Sequence, residues 1–274
     1  LIFFTGSSML IRMKRTRENE DLTDIGNLIK SDKVKEKDST EKYLAVLVPM
    51  RGCFEDLLQF VPYMSQFLSA QQIPFHIFVI HETDTLRFNR AALLNIGFMY
   101  IRDKFDYIAL HDVDLLPLNP KLSYGYPQKG VFQVAEKSLH PFMRNTEVFL
   151  GAITIFSNEV FEAVNGMCPS FWGWGGEDRE LHYQLKKKNI EIEYPKDIGT
   201  NKTNTFRNIH SKDRVRDKNE QRPPKSSGYR HGLNDTKYRI LDVQELTVDH
   251  HQFTLINTEL FCNKTLTPWC VPQQ

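Results

Sequence analysis

Continuous apolar runs at residues 44–48, 75–80 and 107–111 predict buried strands, and residues 54–68 and 90–101 carry apolar side chains at helical spacing. Pro62 lies inside the first of these helices and is expected to bend or interrupt it, because proline brings no amide hydrogen and crowds the preceding turn. Strand and helix alternate through this half, which predicts an α/β fold with a mainly parallel central sheet flanked by helices. Further strands are expected at 131–135 and 152–156, and further helices at 158–164 and 177–188. Closing strands at 238–248 and 253–256 form a small C-terminal β portion.

The pattern also predicts what lies outside that fold. Residues 14–42 are dense in charge with scattered single apolars, which suits a stem or linker. Before them, residues 1–11 are apolar but shorter than the ~20 residues that a spanning helix needs. They read as the end of a trimmed anchor, although the basic cluster at 12–17 runs against the positive-inside tendency for that orientation. The division is therefore at residue 43, with an anchor end and stem in 1–42 and the fold in 43–274. Within the latter, residues 195–232 carry many Lys, Arg, Asn and Gly and few large apolars, and read as a functional lid or a solvated basic loop.

Composition narrows the class of partner. The 274 residues hold 35 basic and 34 acidic side chains, a net charge of +1, which points neither to nucleic acid nor to an acidic tail. At 41% hydrophobic residues the chain can bury a substantial core. Cys262 and Cys270 flank a short segment that a disulfide would staple in an oxidising compartment. Asn-x-Thr sequons begin at Asn201, Asn234 and Asn263, and with the cysteines they lean toward a lumenal location.

Candidate chemistry concentrates in two motifs. Residues 171–180 read Phe-Trp-Gly-Trp-Gly-Gly-Glu-Asp-Arg-Glu, combining indoles, glycines and adjacent carboxylates in a mixture that a packed core does not use. Indoles offer flat apolar faces with one donor each, and glycines permit close backbone approach, which together suit a sugar held beside a base. The competing structural reading is a glycine-rich turn with an acidic first helical turn. The second motif, Asp112-Val113-Asp114, ends the strand at 107–111, where open α/β sheets place ligands. If the chain stays extended, both carboxylates point the same way and suit a hard divalent cation shared with phosphate oxygens.

These segments together resemble the inverting β-1,4-galactosyltransferases of GT-A fold. The resemblance runs from Tyr43 to Cys270 through Leu-Ala-Val-Leu-Val-Pro-Met-Arg at 44–51, Phe-Asn-Arg-Ala-Ala-Leu-Leu-Asn-Ile-Gly at 88–97, the 106–119 segment with Asp-Val-Asp, Leu-His-Pro at 139–141, Asn-Gly-Met at 165–167, Phe-Trp-Gly-Trp-Gly at 171–175 and Thr-Pro-Trp-Cys at 267–270. The Leu-His-Pro, Thr-Phe-Arg and Thr-Pro-Trp-Cys pieces are closer to the xylose-directed branch than to the branch that extends N-acetylglucosamine.

The resemblance implies Mn²⁺-dependent transfer of galactose from UDP-galactose to O4 of xylose on a proteoglycan core protein. It also implies residence in the Golgi lumen, as a type II membrane protein when full length. Pro49, Arg51, Phe88, Arg90, Asp112, Val113, Asp114 and Trp174 would bind the donor. Asp114 and His210 would ligate the metal, and Asp178 would be the catalytic base. Glu177, Asp178, Trp174, Gly175, Gly176 and Phe149 would line the acceptor site.

Three positions depart from the family pattern. Asn208 replaces the first histidine of a His-x-His pair, so it offers the metal an amide oxygen or nothing. Arg179 follows Asp178 where a second aspartate is usual, and Phe149-Leu150-Gly151-Ala152 replaces tyrosines before a Gly-Gly pair. A related β-1,4-N-acetylgalactosaminyl- or galactosyltransferase acting on N-acetylglucosamine and a non-catalytic UDP-sugar binder are the competing readings.

Overall fold

The computed structural model describes residues 12–14, 41–135, 150–210, 217 and 231–272. A short strand β1 (Arg12–Lys14) precedes β2 (Leu44–Met50), helix α1 (Phe54–Ala70), β3 (Phe75–Glu82), α2 (Arg90–Ile101), β4 (Tyr107–His111), β5 (Leu115–Pro117) and β6 (Val131–Gln133). There follow β7 (Ile153–Ser157), α3 (Asn158–Ala163), α4 (Glu177–Lys187), β8 (Phe206–Asn208), β9 (Tyr238–Val248) and β10 (His251–Leu260).

Among the described residues, eight strands form one sheet in the order β1-β9-β10-β3-β2-β4-β7-β6. Its centre, β10-β3-β2-β4, is parallel, while β9 and then β1 on one side and β7 and then β6 on the other are added by antiparallel pairings. The sheet is therefore mixed, with the C-terminal strands built into it.

Both faces of the parallel core are covered, which is why its strands read as unbroken apolar runs. Leu44, Val46, Val48 and Met50 of β2 pack with Leu57, Phe60, Val61, Met64 and Leu68 of α1. The alternate Ala45 and Leu47 pack with α2 on the opposite face. Gly97 lets α2 lie close to the sheet, since a Cβ there would sit 2.8 Å from Ile80 Cδ1.

Two expectations need correction. Helix α1 runs through Pro62, so of the bend or interruption expected there the interruption does not occur. Its buried side chains on both sides of the proline outweigh one lost backbone hydrogen bond. The 195–232 stretch is not structureless throughout, because Phe206–Asn208 pairs antiparallel with Leu115–Pro117 in a second, two-stranded sheet. No helix of the described residues is long and apolar enough to cross a membrane. Cys262 and Cys270 form the expected disulfide.

Candidate active site

The carboxyl ends of the parallel strands carry the polar groups. Strand β4 ends at His111, a fully buried imidazole whose Nδ1 lies 2.9 Å from the Asp112 carbonyl and whose Nε2 lies 2.9 Å from the Tyr124 hydroxyl. Burial pulls its pKa down to about 4, so the ring is neutral. Nδ1 therefore donates to the carbonyl and Nε2 accepts from the phenol.

The chain then turns, the Leu115 N–H donating to the Asp112 carbonyl at 3.3 Å, so the strand alternation expected for Asp112 and Asp114 stops before it reaches them. The two carboxylates take different partners. Asp112 Oδ1 accepts from Arg90 Nε at 2.8 Å, while Asp114 Oδ2 lies 2.8 Å from His210 Nδ1. The β5–β8 pairing delivers His210, helped by the Ile209 N–H bonding to the Asp114 carbonyl at 2.9 Å.

Arg90 joins this edge to the tryptophan-glycine turn. It is the first residue of α2, capped by Asn89, whose side chain accepts from the Ala92 N–H at 2.9 Å. Burial alone would lower the Arg90 pKa, but the charges of Asp112, Glu177 and Asp178 outweigh it and hold the value above the ordinary one. The structure thus brings Arg90, Asp112, Glu177 and Asp178 into one electrostatic cluster, next to the Asp114–His210 pair.

The turn itself needs its glycines. Gly173, Gly175 and Gly176 have φ of 83°, 97° and 105°, in the left-handed region that side chains resist, and Gly176 caps α4. Trp172 is buried in the core, whereas Trp174 is 55% exposed. Glu177 opens α4, with one buried carboxylate oxygen that has no hydrogen-bond partner. Burial and the adjacent Asp178 charge push its pKa up to about 7, against the pull of Arg90. Asp178 Oδ1 accepts the Arg179 N–H at 2.7 Å.

Other expected residues sit differently. Pro49 is buried in β2, paired in register with Ile80 of β3. Arg51 is engaged within the protein, by Glu82 at 2.7 Å, Asp84 at 3.2 Å and the Leu86 carbonyl. Phe88 packs against the α2-side core, and its carbonyl accepts the Gly173 N–H at 2.8 Å. Val113 is 5% exposed and its side chain belongs to the core. Asn208 turns its amide oxygen onto the His210 N–H at 2.8 Å, closing an Asx turn that shapes the approach of the imidazole. Phe149 lies outside the described residues, but nearby Ala152 adopts a φ of 71°, so the methyl that fills the family's glycine position carries backbone strain.

Sequence reading missed Glu82, Arg87 and Asp217. Glu82 is buried, and burial pushes its pKa up to about 8, with Arg51 pulling the other way. Its Oε2 accepts the Asn89 N–H at 3.1 Å and so supports the start of α2. Arg87 is 3% exposed and bonds Asp217 across 130 residues. A charged residue inside an otherwise loop-like stretch was the available signal, but its partner lay too far along the chain to be paired by pattern.

One carboxylate and one imidazole, joined by diphosphate oxygens and water, make a donor set that suits a divalent cation such as manganese. Among the described residues there is no group of three or more His, Cys, Asp or Glu side chains placed to hold a metal. Carboxylate, imidazole and guanidinium groups at the ends of a parallel sheet, facing a tryptophan-glycine turn that ends in two acids, define a nucleotide-sugar transferase of GT-A fold.

Residues 6–127 match the N-terminal region of glycosyl transferase group 7, and residues 132–211 match the family described as the N-terminal domain of galactosyltransferase. The chain belongs to the β-1,4-galactosyltransferase family. It is 42% identical to β-1,4-galactosyltransferase 7 of Drosophila melanogaster over 83% of this chain and 72% of that protein. It is 36% identical to the xylosylprotein 4-β-galactosyltransferase of Caenorhabditis elegans over 83% of this chain and 81% of that protein. A mutant Drosophila β-1,4-galactosyltransferase 7 solved with manganese, UDP-Gal and xylobiose superposes with a TM-score of 0.79 at 40% identity, covering 85% of this chain and all of that one. The catalytic domain of the same enzyme with xylobiose gives a TM-score of 0.80 at 41% identity, with the same coverage.

Proposed function

We propose that this enzyme transfers galactose from UDP-galactose to O4 of xylose on a proteoglycan core protein, with inversion and in the presence of Mn²⁺. The observation that carries the reading is the clustering of Arg90, Asp112, Glu177 and Asp178 beside the Asp114–His210 pair. The names and ligands of the relatives supply the substrate class: xylosylprotein acceptors, xylobiose, UDP-Gal and manganese.

Asp178 acts as base, removing the proton from the acceptor hydroxyl as its oxygen bonds to the anomeric carbon and the bond from that carbon to the β-phosphate oxygen breaks. Glu177 bonds sugar hydroxyls with its unpartnered oxygen. Trp174 offers an exposed indole face to sugar and phosphate. Arg90 holds Asp112 on the nucleotide side, and Pro49, Arg51, Phe88 and Val113 complete that wall, Arg51 through the loop it pins rather than through free donors. Asp114 and His210 would hold the cation, which when bound neutralises the departing diphosphate. Gly175 and Gly176 leave room for the acceptor ring. The same reading assigns residues 1–42 to an anchor end and stem, 43–274 to one catalytic domain, and the full-length protein to the Golgi lumen as a type II membrane protein.

The test is transfer from several UDP-sugars to xyloside and N-acetylglucosaminide acceptors, with and without Mn²⁺. Galactose transfer to xyloside alone, dependent on Mn²⁺, is the expected result. Preference for N-acetylglucosaminide, or UDP binding with no transfer to either acceptor, overturns it.

A further inference from the structure

We propose that Arg87 is a positioning residue for transfer, acting through Asp217 on the turn that carries Trp174, Glu177 and Asp178. Its guanidinium donates to Asp217 through Nη2 at 2.8 Å and Nε at 2.5 Å, and to the Trp269 carbonyl through Nη1 at 3.0 Å. The Arg87 N–H donates to the Cys270 carbonyl at 2.7 Å. Two of these partners, Asp217 and Trp269, reach the turn or the residue just before it. The Asp217 carbonyl accepts the Trp174 N–H at 2.8 Å, and the Trp269 indole N–H donates to the Ser170 carbonyl at 2.9 Å, just before the turn begins. Gly173 lies against the guanidinium so closely that a Cβ there would sit 2.0 Å from Nη2.

Three segments remote in sequence therefore meet on the one buried cation of Arg87: the glycine turn, Asp217 and the disulfide-closed loop between Cys262 and Cys270. A planar guanidinium can serve a bidentate carboxylate and a carbonyl at once, which an ammonium cannot do in the same geometry. Its bonds lead to the sugar-side turn, so losing them displaces Trp174 and the acids that follow it, and a displacement of about 1 Å at a reacting group costs on the order of 100-fold in rate.

This inference rests on the proposed galactosyl transfer, and the experiment separates the two. Asp217→Asn, Asp217→Glu and Arg87→Lys are compared with the unmodified chain for kcat toward a xyloside, UDP affinity in Mn²⁺, Tm, and hydrogen exchange at the Trp174 amide. Expected are a kcat lowered at least about tenfold in Asp217→Asn and Arg87→Lys, UDP affinity within about threefold, faster exchange at Trp174, and partial recovery in Asp217→Glu. Unchanged kcat and unchanged Trp174 exchange overturn the proposal, as does an activity loss that matches only the unfolded fraction. An unmodified chain that transfers nothing while Trp174 exchange still depends on Arg87 and Asp217 overturns the acceptor assignment and supports the latch.

Discussion

The two sides of the active site are held by different physics. On the proposed donor side Asp112 and Asp114 follow the end of a fully buried parallel strand, Arg90 opens a helix with nine buried residues, and His210 arrives by strand pairing. On the proposed acceptor side Trp174, Glu177 and Asp178 hang on three glycines in left-handed conformations, tied down by the Trp174 N–H bond to the Asp217 carbonyl, whose side chain is held by Arg87. The donor side inherits its geometry from the core, whereas the acceptor side depends on a few directional contacts. Substitutions should accordingly separate nucleotide binding from transfer.

The sharpest break is expected from Asp178→Asn, which should lower kcat about 1000-fold while leaving UDP and Mn²⁺ affinity nearly unchanged. Steady-state kinetics with calorimetric titration check it, and near-normal turnover would remove Asp178 from the base role. Asp114→Asn should do the reverse, weakening Mn²⁺-dependent UDP binding by roughly 10–100-fold. Equal UDP affinity in both proteins across a Mn²⁺ titration contradicts that assignment.

Glycine substitutions sharpen the contrast. Gly173→Ala should lower transfer at least about tenfold, because its methyl overlaps the Arg87 guanidinium. Gly199→Ala, at a positive φ outside the turn, meets nothing within 4 Å and should cost only the backbone strain of about 1–2 kcal/mol, read as a Tm change. Comparable kinetic losses in the two variants would mean that the latch is unimportant.

The smaller effects concern stability. Glu177 has its pKa raised to about 7 in the folded protein, so the folded state retains a proton that the unfolded chain loses near its ordinary value of 4.5. Its contribution to stability therefore falls as pH rises from about 4.5 to 7. Glu177→Gln should raise Tm by a few degrees at pH 8 and by less at pH 5, and thermal melts at the two pH values test the sign. Ala152→Gly should relieve a positive φ and stabilise by about 1 kcal/mol, seen as a higher denaturation midpoint. No change there means the local strain is already relaxed.

Much of the scaffold was readable because burial on both faces leaves unbroken apolar runs, and the limits of α2, β4 and β9 were expected where they are found. Pro62 misled because local propensity ignores the packing of α1 on the sheet. Strand β8 was missed because three residues in a basic loop carry no periodic signal, and Asn208 was left between an amide-oxygen ligand and no ligand because spacing cannot reveal that its oxygen faces a backbone amide.

By itself the chain's order of residues determined the α/β layering, the disulfide-bearing loop and the residue types that could serve a nucleotide sugar, since these follow from periodicity and side-chain chemistry. Only the tertiary structure decided that Asp112 pairs with Arg90 while Asp114 faces His210, and that Asp217 reaches back to Arg87. Those are contacts between segments 22, 96 and 130 residues apart. Their geometry is set by how the whole sheet and its loops pack, which no local pattern encodes.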